Sequence, residues 1–89
     1  MELSELFARF EVEFELELPE DAEQRLLTVS DVRDCIRKDY RRQGIEISAG
    51  AVFDRLRQII AILTRTDATD IEPETRLADL VPERPSHAA

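Results

Sequence analysis

Phe10, Val12, Phe14, Leu16 and Leu18 alternate with glutamates, the period of a half-buried β-strand. No second alternating run exists elsewhere to pair with this stretch. A lone strand would leave its backbone N–H and C=O groups without partners. The same segment also carries helical spacing, because Leu3, Leu6, Phe7, Phe10 and Phe14 would line one face. The chain is therefore expected to be all-α. A helix should run from about Glu2 to Glu13, followed by an extended exit through Leu16 and Leu18 to Pro19.

The remaining elements follow from capping signals. Asp21 can cap a short helix over 22–26. Thr28 and Asp31 form a Thr-x-x-Asp capping box that opens a helix with Val29, Val32, Ile36 and Tyr40 inward and Gly44 as its stop. Residues 43–51 contain both glycines and read as a linker. Ser48 can cap the next helix, in which Val52, Phe53, Leu56, Ile59, Ile60 and Leu63 form an apolar stripe. Beyond Asp70, a long loop is anchored by Ile71, Leu77 and Leu80, with Pro73 blocking helix continuation. Residues 83–89 hold no apolar anchor and are expected as a flexible tail.

Eighty-nine residues suffice for one small domain, expected over 1–82. The chain carries 20 acids against 12 bases, a net charge of −8, unevenly placed. Residues 1–21 hold eight acids and one base, whereas 25–65 hold nine bases and five acids. This balance disfavours nucleic acid, and a single-sign face speeds encounter with basic protein partners. Arg33, Arg37, Lys38, Arg41 and Arg42 form a local basic run with Tyr40 as its sole aromatic, too little for a stacking platform. A single cysteine excludes an internal disulfide and a cysteine-based metal site; Cys35 reads as a small core hydrophobe. The absence of a membrane-length apolar run and of a signal-like start makes the cytoplasm the expected compartment.

Two segments together resemble the acyl carrier protein (phosphopantetheine-binding) family in circularly permuted order. Pro73, Glu74, Thr75, Leu77, Asp79 and Leu80 are similar to the loop that precedes the family's prosthetic-group serine, and 52–63 to the helix before it. Phe14, Leu16, Leu18 and Pro19 are similar to the exit from the family's acidic helix. Thr28, Val29, Asp31 and Ile36 are similar to the start and inner face of its last helix. Residues 1–42 would thus be the family's C-terminal half and 52–82 its N-terminal half, joined by 43–51. The resemblance implies a small three- to four-helix bundle with the new ends where the arm is normally attached. Joining neighbouring ends and opening an exposed loop elsewhere is how permuted chains keep their fold.

The family's Asp-Ser-Leu serine has no match. Counting back from Pro19 places it immediately before Met1. Counting forward from Leu80 places it at Arg84, with Glu83 where the family has aspartate. Ser86 lies two positions beyond and Ser4 about one turn into the acidic helix. Of these, Ser86 is the candidate cofactor-binding residue, with 4′-phosphopantetheine as the cofactor. His87 stands beside it, but adjacent residues in a flexible tail cannot hold the geometry of a catalytic pair. The resemblance assigns partner docking to Glu2, Glu5, Glu11 and Glu13, which match acidic positions offered to basic patches on synthases and transferases.

Two functions of different kind follow. The first is a non-enzymatic interaction module that keeps the acidic docking helix without a prosthetic arm. Its partners would be fatty-acid, polyketide or related carrier-dependent enzymes. The alternative is a working carrier with 4′-phosphopantetheine on Ser86. An enzyme is not expected, since the sequence has one histidine, no metal-ligand spacing and no glycine-rich phosphate loop. Nor are nucleic acid, membrane or metal partners. A monomer is expected, with exchange of a segment hinged on the linker as the other possibility.

Overall fold

A computed structural model describes residues 1–81. Their order is α1 (Leu3–Phe14), α2 (Ala22–Arg25), α3 (Val29–Arg42), α4 (Ala49–Thr64), a 3-10 turn (Ala68–Asp70) and α5 (Leu77–Leu80). The three long helices α1, α3 and α4 form a bundle, with α2 and α5 as single turns. The all-α expectation holds: among the described residues there is no strand, only an isolated antiparallel bridge between Thr28 and Arg76.

The ambiguous first segment resolves at Phe14. Were residues 10–18 a strand, Val12 would share a face with Phe10 and Phe14. Instead Val12 is 66% exposed while both phenylalanines are buried, as a helix requires. Glu15 then adopts a left-handed conformation (φ 53°), and the amides of Glu15 and Leu16 both turn back to the Glu11 carbonyl. The Glu11 carboxylate accepts from the Leu18 amide at 2.8 Å and fixes the extended exit. One residue thus ends the helix with both its backbone and its side chain.

α3 starts as expected. The Thr28 hydroxyl accepts from the Asp31 amide, and the Asp31 carboxylate accepts from the amides of Leu27 and Thr28. Gly44 (φ 83°) ends it, donating to Arg41 O. Two boundaries differ from the sequence reading. Ala49–Ala51 are helical rather than linker, because the Ser48 hydroxyl accepts from the Ala51 amide and starts α4 at once. Asp21 makes no cap; its carboxylate faces Arg25 at 3.5 Å on the surface.

The core lies between the three long helices. α1 contributes Leu6, Phe7, Phe10 and Phe14, α3 contributes Val29, Val32 and Ile36, and α4 contributes Val52, Leu56 and Ile60. Each fully buried side chain of this size contributes roughly 1.5–3 kcal/mol. Ile71, Leu77 and Val81 close the α5 end. Tyr40, Phe53, Ile59 and Leu63 pack against this core while partly exposed.

Helix directions follow from cross-contacts. The Arg55 guanidinium, in the first half of α4, donates to the Glu13 carbonyl at the end of α1 (3.1 Å), and Met1 before α1 shares a recess with Leu63, Thr64 and Arg65 at the end of α4, so these two helices are antiparallel. The Tyr40 hydroxyl, near the end of α3, donates to the Phe14 carbonyl at the end of α1 (3.2 Å), so those two run together. A second set of bonds joins the far parts of the chain. Val29 N–H donates to Thr75 O (3.0 Å), Ser30 N–H to Pro73 O (2.8 Å) and Leu77 N–H to Leu27 O (2.9 Å). The first two satisfy orphan amides at the start of α3.

Candidate interaction surface

The four glutamates singled out for docking do not form one face. A helix turns 100° per residue, which puts Glu11 on one flank of the buried Phe7–Phe10–Phe14 stripe and Glu13 on the other. Glu2 and Glu5 are exposed, and the Glu5 carboxylate accepts from the Glu2 amide at 2.8 Å, tying down the first turn of α1. Glu11 is half-buried and held by the Leu18 amide. Glu13 lies 3.5 Å from Arg9 and 3.8 Å from Arg55. The carboxylates of Glu5 and Glu11 therefore each hold a backbone amide of the fold, and Glu13 has its charge answered locally.

The unanswered negative charge lies further along. Glu15, Glu17, Glu20 and Glu23 are exposed and have no ion-pair partner among the described residues. They cluster where α1 exits toward α2. A shallow cleft of about 270 Å³ opens between α1 and α2, floored by Phe7, Ala8, Leu18, Pro19 and Ala22 and rimmed by Glu11, Glu20 and Glu23. Ser4 lines this cleft from the side of α1. Counting acids along the sequence could find these glutamates. Which acids are already engaged is set partly by local pairs, Arg9 with Glu13 and Glu5 with the Glu2 amide, and partly by groups as distant as Arg55.

The basic run of α3 is largely self-contained. Arg33 pairs with Asp34 and Arg42 with Asp39, both at 2.9 Å, while Arg37 donates to the Ile47 carbonyl. Lys38 and Arg41 are left without an ion-pair partner among the described residues.

Cys35 is half-buried. Burial, reinforced by the Asp39 carboxylate, pushes its thiol pKa above the usual value, which makes the nucleophilic thiolate scarcer. Asp67 goes the other way: the Thr69 amide and hydroxyl hold its carboxyl below the usual range. Both bonds serve the 3-10 turn. Ser86, His87 and the rest of the tail lie outside the described residues. Among the described residues no cluster of three or more metal-ligating side chains occurs, and no helix is long and apolar enough to cross a membrane.

At the start of α1 the two ends of the described chain meet. Met1, Leu63, Thr64, Arg65, Leu80 and Val81 line one small recess of about 230 Å³. Comparison with family models, with curated proteins and with solved structures finds no match to this chain.

Proposed function

We propose that this chain is an acyl-carrier-like interaction module, non-enzymatic and without a prosthetic arm. In this reading it docks in the cytoplasm onto basic surfaces of carrier-recognising enzymes. The observation that carries the reading is the junction between the segments that resemble the two halves of a carrier. The Pro73–Thr75 loop, from one half, supplies the carbonyls that cap the start of α3, from the other. Two further features support it. α4 runs antiparallel to α1 and lies beside α3, as the family's first helix lies against its acidic and last helices. Met1 and Val81 share one recess, where a permuted carrier would have been opened.

Docking through acids fits the geometry in a modified form. Glu2 and Glu5 remain exposed, and the free charge of Glu15, Glu17, Glu20 and Glu23 extends the acidic surface past α1. Glu11 and Glu13 act mainly on the fold. Charge reversal at Glu5 and Glu20 should weaken capture of a basic carrier-dependent enzyme, more so at low salt. Unchanged capture would remove the docking claim.

The second reading, 4′-phosphopantetheine on Ser86, is favoured by Val81 lying at the start of α1, the pole at which the family carries its arm. Intact mass after co-expression with a broad-specificity phosphopantetheinyl transferase separates the two. An unchanged mass supports the module; a gain lost in Ser86→Ala establishes the carrier.

A further inference from the structure

The buried core is shared across the α3–α4 connection. Residues 1–42 bring Leu6, Phe10 and Ile36 to it, and residues 49–81 bring Val52, Leu56 and Ile60. The second set stands on one long helix followed by two single turns, too little chain to enclose it alone. Because α3 and α4 run antiparallel, residues 43–48 must reverse the chain. That reversal is held almost wholly from the α3 side. The amides of Gln43, Gly44 and Ile45 all donate back to carbonyls of residues 39–41. Glu46 is exposed, and the one hydrogen bond reaching over it joins Arg37 to the Ile47 carbonyl. Gly44 makes the turn at φ 83°.

We propose that the face of residues 1–42 covered by residues 49–81 is a binding site that also takes this segment from a second copy, giving a reciprocal dimer opened at residues 44–46. The contacts already present name the occupant. The segment seats Arg55 on the Glu13 carbonyl (3.1 Å) and joins 73–77 to 27–30 through three backbone hydrogen bonds. A second copy carries the identical segment and rebuilds every one of these contacts, so the closed and exchanged forms differ only at the hinge. Glu15, Glu17, Glu20 and Glu23 all lie within residues 1–42, and exchange leaves their surface whole.

Tethering sets the balance. A short linker holds the segment beside its own face at an effective concentration on the order of 1 mM. The closed chain therefore prevails in dilute solution, and the exchanged dimer competes near that concentration. Passing between the two exposes the shared core, so it requires opening as extensive as global unfolding. The net charge of −8 opposes bringing two copies together, and salt should favour the dimer several-fold.

The full chain, unfolded in urea and refolded by dilution at about 1 mM or about 10 μM, tests the proposal in sedimentation velocity. Concentrated refolding should yield a dimer that persists when diluted and decays only at the unfolding rate, faster in mild urea; dilute refolding should yield monomer. Gly44→Ala should raise the dimer roughly tenfold, because the strain alanine meets at positive φ in the closed turn is released at both hinges. Deleting residues 43–47 joins Arg42 to Ser48 and leaves too little chain for the reversal. That variant should be dimeric even at about 10 μM, with helical circular dichroism. A monomer from concentrated refolding of both the unaltered chain and Gly44→Ala, a dimer that dissociates at once on dilution, or a monomeric deletion variant would each overturn it.

Discussion

The halves of this molecule are joined twice, and the two joins differ in kind. Residues 43–48 connect α3 to α4 covalently, but they are almost wholly exposed, their hydrogen bonds run back into α3, and only Ile47 packs on the core. The Ile45 amide donates to Tyr40 O, and the Arg37 side chain donates to Ile47 O. The other join is non-covalent. There, residues 73–77 lie along 27–30, three backbone hydrogen bonds cross between them, and Leu77 and Val29 are buried beneath. A covalent link limits only how far apart the halves can drift, whereas the seam decides which surfaces meet and satisfies the start of α3. A fold organised this way is indifferent to which of its loops is the closed one.

Perturbing the seam at its apolar anchor should have the largest effect. Leu77 is 1% exposed, so Leu77→Ala removes buried atoms and leaves a void, costing about 2–5 kcal/mol in a urea denaturation series. The matching change in the linker, Ile45→Ala, deletes an exposed side chain and should stay within about 0.5 kcal/mol. Equal losses at the two positions would erase the distinction between the joins.

Next in size is the polar side of the seam. Asp31→Ala strips the acceptor from the Leu27 and Thr28 amides at once and should cost about 1–2 kcal/mol. Gly44→Ala in the linker should cost about 1 kcal/mol for a different reason. No atom lies within 4 Å of the added Cβ, but φ 83° is a backbone conformation that alanine resists. That loss is local strain, so it should leave the seam intact.

Much of this was legible in the residues. The Thr28–Asp31 box, the Ser48 cap and the stripe of α4 each pair a helix start with an apolar period, and each element formed where that pairing placed it. The alternation of 10–18 competes with the helical stripe as far as Phe14, because Phe10 and Phe14 fit either period while Val12 fits only the strand. What decides is whether a partner strand exists, and none does among the described residues. The linker reading of 43–51 ran too far because it weighted Gly50, whereas the Ser48 cap outweighs the low helix propensity of one glycine. Two features left little local trace. The seam is made of backbone groups, which every residue type except proline offers in full. The duty of Glu11 depends on Leu18, beyond the helix end, and Glu13 adds to its local partner Arg9 a contact with Arg55, 42 positions away along the chain. An acid that stabilises an amide and an acid left free for a partner are identical in a charge count.

The smallest expected effect gives the sharpest test of the comparison. Inserting about six glycine and serine residues between Ile45 and Glu46 doubles the connection; the Tyr40 O to Ile45 anchor stays on the α3 side, while the Arg37 to Ile47 bond must close across the longer loop. Loop-closure entropy then charges only about 0.6 kcal/mol. Cys35 supplies a second readout. Burial and Asp39 hold its pKa up, so at mildly alkaline pH the native thiol is less ionised than an unfolded one and alkylates slowly. The sign runs one way: protonated thiol is favoured in the fold, so the rate rises as α3 opens or as pH climbs toward the raised value. The insertion should leave that rate unchanged, whereas Leu77→Ala and Asp31→Ala should raise it by loosening the start of α3. If the longer linker speeds alkylation as much as the seam variants do, the covalent connection is holding α3 in place after all.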